Sequence, residues 1–277
     1  HIIRGDDHIS NTPKQILLYN SFNVQPPKFA HLALILGPDK KKLSKRHGVT
    51  SVLQFKEEGY FSLSMVNFLA HLGWSPGEEN RLFSMEELVQ RFSLKKLSKG
   101  SPLLDLEKLL WLNGLQISMM EAEELYNPVR EVMLKEGLWR IELEGPEKKW
   151  FLRLIDLIKG RNRTLGDFAV RLRPFLSDEF EYDPAGVEKH LRHEGLSKNL
   201  EKLAGDFEAM EVFDAHSIEQ VVRRRADSDG VKAALYIHAL RMLSLGMTVS
   251  PGIFEVLELL GRERVLERMK RISGYSF

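Results

Sequence analysis

From residue 50 onward the chain carries one helix start or stop signal after another, and its second half shows no alternation of apolar and polar residues that could build a strand. No other feature of the sequence restricts the fold more tightly. Ser62 is expected to cap a run with Leu63, Val66, Leu69 and Leu72 on overlapping helical faces, and Gly73 follows as a stop. Ser84 with Glu87 predicts a capping box ahead of Leu88 and Val89. Asp105 opens a helix through Leu106, Leu109 and Leu110 that is expected to end at Asn113-Gly114, and Ser118 with Glu121 reads as the next box. Further on, Pro146 marks a first turn before Trp150, Leu154, Leu157 and Ile158, with Gly160 closing that helix. Asp183-Pro184 and Ser250-Pro251 read as cap-plus-proline starts, and Ser217 with Gln220 as another box. Trp111, Trp139 and Trp150 fall on apolar helical faces and are expected in the core. Candidate breaks between packed units are Gly114 to Ser118, Glu144-Gly145-Pro146 and Glu181 to Pro184.

The chain's 277 residues, 43% hydrophobic, suffice for two or three packed units. The absence of cysteine excludes disulfides, thiolate metal sites and cysteine nucleophiles, which fits a reducing cytosol. No apolar run approaches the roughly 18 residues of a membrane span. The start at His1-Ile2-Ile3-Arg4, extended and without an initiator methionine, is expected to continue from something longer.

A net charge of +1 hides local excesses. Five of the nine residues from Lys40 to Gly48 are Lys or Arg, a density no core could bury. Gly37-Pro38 and Gly48 punctuate this run as a loop after the apolar stretch Leu32 to Leu36, and such a loop is built to meet phosphate. Lys159, Arg161 and Arg163 form a second basic cluster. Arg223-Arg224-Arg225 reads equally well as a phosphate clamp or as cations favoured by a helix C-terminus.

Lys42-Leu43-Ser44-Lys45-Arg46 resembles the signature loop of class I aminoacyl-tRNA synthetases. Ile2-Ile3-Arg4-Gly5-Asp6-Asp7-His8, Phe29-Ala30-His31-Leu32, Trp111-Leu112-Asn113-Gly114 and Pro251-Gly252-Ile253-Phe254-Glu255 narrow the likeness to glutamyl-tRNA synthetases from the first residue to the last. The helical second half resembles the bacterial-type glutamyl enzymes, since glutaminyl enzymes read the anticodon with β-barrels. The resemblance implies a mainly α fold. Residues 1–120 would end the catalytic region and form a helical stem-contact domain. Residues 121–182 and 183–277 would be two all-helical anticodon-binding subdomains. The His-x-Gly-His word of the nucleotide-binding half is not found, so the resemblance implies a C-terminal portion of a glutamate–tRNA ligase, inactive alone.

The resemblance also assigns roles. Lys45, Lys42 and Ser44 would be catalytic, closing on ATP as negative charge develops at the α-phosphate. Lys45, Leu34, Ile35 and His8 would contact ATP, the two apolar residues through their backbone. Arg4 would pair with the carboxylate of glutamate, a planar fork suited to carboxylate over the amide of glutamine. Arg161, Arg163 and Arg241 would read anticodon bases. Ala239 before Leu240-Arg241, and Leu245-Gly246 after, depart from the proline and the threonine-glycine of relatives, which leaves tRNA-Gln as an alternative substrate beside tRNA-Glu. Mg²⁺ would arrive with ATP and no protein-held metal is expected; adjacent Asp6, Asp7 and His8 scatter along an extended segment and make a poor ligand set. The expected setting is a cytoplasmic monomer. A tRNA-binding module without activity of its own is the other reading. A glutamyl-queuosine enzyme lacks the helical anticodon region, so residues 120–277 argue against it.

Overall fold

The computed structural model describes residues 1–43, 51–75, 77–78 and 81–274. The chain divides into two compact units, His1–Met119 and Met120–Phe277.

The first unit begins with a βαβ arrangement. Strand β1 (Ile2–Gly5) leads through a 3₁₀ turn, Asp6–Asn11, into helix α1 (Thr12–Ser21), and strand β2 (Phe29–Leu32) returns parallel to β1. Parallel neighbours need such a crossover, because a tight turn reverses direction. The register sets Arg4 opposite His31. Pro13 starts α1, where its missing N–H costs nothing. After β2, backbone bonds from Leu43 to Ile35 and from Gly37 to Lys41 fold residues 35–43 into a hairpin whose tip places Lys40 in the left-handed region, φ 59°.

Helices α2 (Val52–Glu57), α3 (Ser62–Gly73), α4 (Met85–Arg91) and α5 (Leu106–Met119) complete this unit. Phe55, Met65, Phe68, Leu72, Leu109 and Leu112 form its core, with Ile35 packed against them. Each such burial contributes roughly 1.5–3 kcal/mol. The capping box of Ser84 and Glu87 is present. Ser62 is not a cap, since Phe61 holds that position and no side chain caps α3. Asn113-Gly114 does not stop α5, which runs on to Met119 through the candidate break. Fully buried Asn113 instead accepts from the Phe61 N–H at 2.8 Å and donates to the Gly59 carbonyl at 3.3 Å, so a residue read as punctuation ties α5 to the start of α3. Ser118 donates back to Leu115 inside α5, and the box lies at Glu121 with Glu124.

Among the described residues, every regular element of the second unit is helical: α6 (Ala122–Lys135), α7 (Lys148–Lys159), α8 (Asp167–Leu176), α9 (Pro184–His190), α10 (Leu196–Glu208), α11 (Ala215–Ser228), α12 (Ala233–Leu245), α13 (Ile253–Leu260) and α14 (Arg262–Gly274), with a 3₁₀ turn at Ile141–Glu144. α7 buries Phe151, Leu154, Ile155 and Ile158. Of the expected stripe only Leu154 and Ile158 are buried, while Trp150 and Leu157 stay half-buried, and Pro146 lies before the Glu147 cap rather than in the first turn. Asp183 caps α9 as expected. The cap of α11 is Asp214 rather than Ser217, and α13 begins after Gly252, which leaves Ser250 for another task. Gly246 ends α12 at φ 72°, and a Cβ there would stand 2.1 Å from the Glu181 carbonyl oxygen, so only glycine admits the passing chain. Arg268 of α14 is fully buried, donating to the carbonyls of Ser244 and Pro174 and to Asp178 at 3.0 Å.

The tryptophans depart from expectation. Trp111 is 42% exposed, and Trp139 lies on the link after α6 rather than on a helix, its ring against Tyr126 and Phe151 and its N–H on Glu144. Trp150 is half-buried and donates to the Leu259 carbonyl at 2.8 Å.

Candidate functional site

In the first unit the candidate residues gather where β1 meets the hairpin. Arg4 is half-buried; its Nη2 donates to Thr12 Oγ1 at 2.9 Å and to Gln15 Oε1 at 2.7 Å, and its guanidinium lies 5.4 Å from the Phe29 ring centre. Thr12 and Gln15 are three residues apart and so share a face of α1. Thr12 Oγ1 also meets His31 Nε2 at 3.0 Å and the His8 carbonyl at 3.2 Å. Among the described residues no carboxylate pairs with Arg4, and its Nε is buried without a partner. A fork steadied by neutral acceptors, with its charge uncompensated, is prepared for an anionic ligand.

His8 is exposed, with Asn11 3.4 Å from its Nδ1. Leu34 lies against Gly5, its Cδ2 3.4 Å from where a Cβ would stand, and its own backbone groups have no backbone partner among the described residues. Ile35 differs: its carbonyl accepts from Leu43 and its side chain joins the core. Lys42 Nζ pairs with Asp7 Oδ2 at 3.0 Å, and that bond holds the Asp7 carboxyl below the usual carboxylate range. Ser44 and Lys45 lie outside the described residues.

In the second unit, Arg161 is exposed just after α7, on a turn fixed by Asp167, whose Oδ2 accepts from the N–H groups of Arg163 and Thr164 at 2.7 and 2.9 Å. Lys159 is committed elsewhere, to the Met120 carbonyl and to Asp156. Arg241, on α12, is partly buried; its Nε donates to Ser250 Oγ at 2.9 Å and its Nη1 meets His238 Nδ1 at 3.2 Å. Burial, and after it the charge of Arg161, hold the Arg241 guanidinium below its ordinary range. The Arg223 to Arg225 run is divided, with Arg223 on Glu219 and Arg225 on Asp206 through two bonds of 2.6 Å.

Thr12, Gln15 and Ser250 are supporting residues that the sequence reading missed. The signal for the first two was their i, i+3 spacing opposite a strand arginine. Ser250 was masked by the proline after it.

The family description "tRNA synthetases class I (E and Q), catalytic domain" matches residues 1–111, and "Anticodon binding domain" matches residues 122–273. The chain belongs to the class I aminoacyl-tRNA synthetases of the glutamate and glutamine group, with their helical anticodon-binding domain. Among its relatives, glutamate–tRNA ligase 2 of Caldicellulosiruptor saccharolyticus is 41% identical over 98% of this chain and 55% of its own length. The glutamate–tRNA ligase of Thermodesulfovibrio yellowstonii is 42% identical over 100% of this chain and 59% of its own. A crystal structure of a glutamate tRNA ligase from Elizabethkingia meningosepticum, in complex with its amino acid, superposes with a TM-score of 0.85 at 25% identity, covering 98% of this chain and 56% of that one. The chain thus spans a little over half the length of these relatives.

Proposed function

We propose that this chain is the C-terminal part of a glutamate–tRNA ligase, which joins glutamate to tRNA-Glu through an ATP-derived adenylate. The observation that carries the reading is Arg4, held by Thr12 and Gln15 with its charge uncompensated, in a chain 41–42% identical to such ligases along nearly its whole length. In this reading Arg4 takes the substrate carboxylate. The Leu34 backbone, beside it, meets adenine together with Ile35, and His8 faces the nucleotide. Lys42, Ser44 and Lys45 act on the phosphates, with Lys45 supplying the main charge stabilisation as pyrophosphate leaves. MgATP enters as substrate. Leu17, Leu18, Phe22 and Val24, exposed along α1 and beyond it, offer the apolar face that a nucleotide-binding half would cover.

The second unit supplies tRNA recognition in two subdomains, 121–182 and 183–277, with Arg161, Arg163 and Arg241 toward the anticodon. The first unit's helices, within residues 1–120, face the acceptor stem. The protein works as a cytoplasmic monomer; among the described residues no helix is long and apolar enough to cross a membrane.

The test uses the full-length ligase. Lys45→Ala lowers glutamate-dependent pyrophosphate exchange by orders of magnitude while glutamate affinity holds; unchanged exchange removes the loop from the chemistry. The 277-residue chain alone binds tRNA-Glu and exchanges no pyrophosphate. Its affinity falls with salt, and Arg161→Ala lowers the slope of log K against log salt by about 0.7–0.9 if that arginine meets a phosphate. Loss confined to a changed third anticodon base assigns it to base reading instead. Parallel charging assays with tRNA-Gln decide the alternative substrate.

A further inference from the structure

The imidazoles of His190, the last residue of α9, and His238, on α12, lie stacked, with ring centres 4.6 Å apart and planes 19° from parallel. Arg241 Nη1 approaches His238 Nδ1 at 3.2 Å. A guanidinium has only hydrogens to offer, so Nδ1 must be the acceptor, and His238 in this arrangement is neutral with its hydrogen on Nε2. Uptake of a proton at Nδ1 removes that acceptor, sets N–H against N–H, and releases Nη1 of Arg241, which stays tied to Ser250 through Nε.

The surroundings carry one sign of charge. His238 faces Arg241 on its own helix and Lys189 on α9. His190 faces His238, Lys189, His193 and Arg241. Arg161, on the turn after α7, adds to the field at Arg241. Glu188 of α9 is engaged by Arg192 at 3.0 Å, and among the described residues the charges that act on His238 are those of Arg241 and Lys189. Burial first, and these cations after it, keep both rings below the ordinary histidine range. A partly buried cationic cluster without a counter-charge is incomplete until an anion enters.

We propose that His190, His238 and Arg241 form a proton-coupled site for a backbone phosphodiester of bound RNA. This rests on the tRNA-binding reading above and extends it to two residues outside the arginine set. Without RNA the pair is neutral and Arg241 is held by His238. When a phosphodiester arrives, its charge favours the imidazolium form, one proton is taken from solvent, and Arg241 Nη1 turns from His238 to the phosphate oxygen. Affinity therefore rises as pH falls.

The experiment is fluorescence anisotropy of the 277-residue chain with a tRNA-Glu transcript, at constant ionic strength, from about pH 8 to about 5.5, the window in which histidine titrates. The unaltered chain is expected to bind about tenfold more tightly at the acid end, the effect of one pKa unit of linkage. His190→Gln/His238→Gln should flatten that dependence, and Arg241→Ala should weaken binding throughout. In the unaltered chain, the imidazole Cε1–H resonances should titrate at higher pH with RNA than without it, a readout that needs no variant. Equal pH slopes in the chain and its double glutamine variant, or imidazoles that titrate identically with and without RNA, overturn the proposal alone. No RNA binding at any pH overturns it together with the reading beneath it.

Discussion

The ammonium of Lys42 sits 3.0 Å from the carboxylate of Asp7, a residue 35 positions earlier, so the basic hairpin is fastened to the turn that leaves β1. Both side chains are exposed enough for water to screen the pair, which makes it a tether of position rather than a source of stability.

Asp7→Asn should therefore leave global unfolding nearly unchanged while amide hydrogen exchange in Leu36 to Leu43 speeds up. Gly5→Ala should act alike, because a Cβ there would stand 2.6 Å from Asp7 Oδ1 and push the carboxylate away from Lys42. Unaltered exchange in both variants would show that the hairpin holds itself.

Asn113→Ala should cost about 1–3 kcal/mol in urea unfolding, the penalty for stranding a buried polar partner, because the Phe61 N–H loses its acceptor. Asn113→Asp should recover part of this if the acceptor matters more than the donor to Gly59. Equal losses would favour the donor.

Arg268→Met should destabilise the second unit by several kcal/mol, on the order of 3–5, since carbonyls of Ser244 and Pro174 are left unsatisfied in the interior. The pairing also makes an acid limb. Burial raises the Asp178 carboxyl, but Arg268, Arg264 and Arg271 outweigh it and hold the group below the usual carboxylate range. A carboxyl whose pKa is depressed by folding adds stability that is complete above its unfolded pKa of about 3.9 and fades as pH falls through the lower folded value. The gap in stability between the parent chain and Asp178→Asn should close in that acid window. A gap constant with pH would remove the charge argument.

In the full-length ligase, Arg4→Lys should raise KM for glutamate by about two orders of magnitude, for want of the second donor, with a smaller change in kcat. A kcat loss at constant KM would place Arg4 with the phosphates instead.

The helical class of the second unit was legible because Trp150, Leu154, Leu157 and Ile158 recur at helical spacing, although the buried face turned out to include Phe151 and Ile155 in place of Trp150 and Leu157, and Ser84 with Glu87 is a local motif that needs no tertiary partner. Errors arose where a polar residue's partner lies far along the chain. Asn113 looked like a stop because its bonds run to Gly59 and Phe61, and Ser250 looked like a cap because its bond runs to Arg241. Arg4 could be found from its word, but not its supports. The His190–His238 stack joins residues 48 positions apart, which no local pattern reveals.

The parallel pairing that sets Arg4 across from His31 also limits how this region can evolve. Strand side chains alternate faces, so a slip of one residue would present Ile3 or Gly5 in place of Arg4 and carry the cation to the opposite side. The segment between α1 and β2 can absorb added residues, whereas the frame of the two strands cannot drift at all. Selectivity for an acidic amino acid would then depend on strand alignment as much as on the identity of one side chain, and a frame error of a single step would erase it while leaving every residue in place.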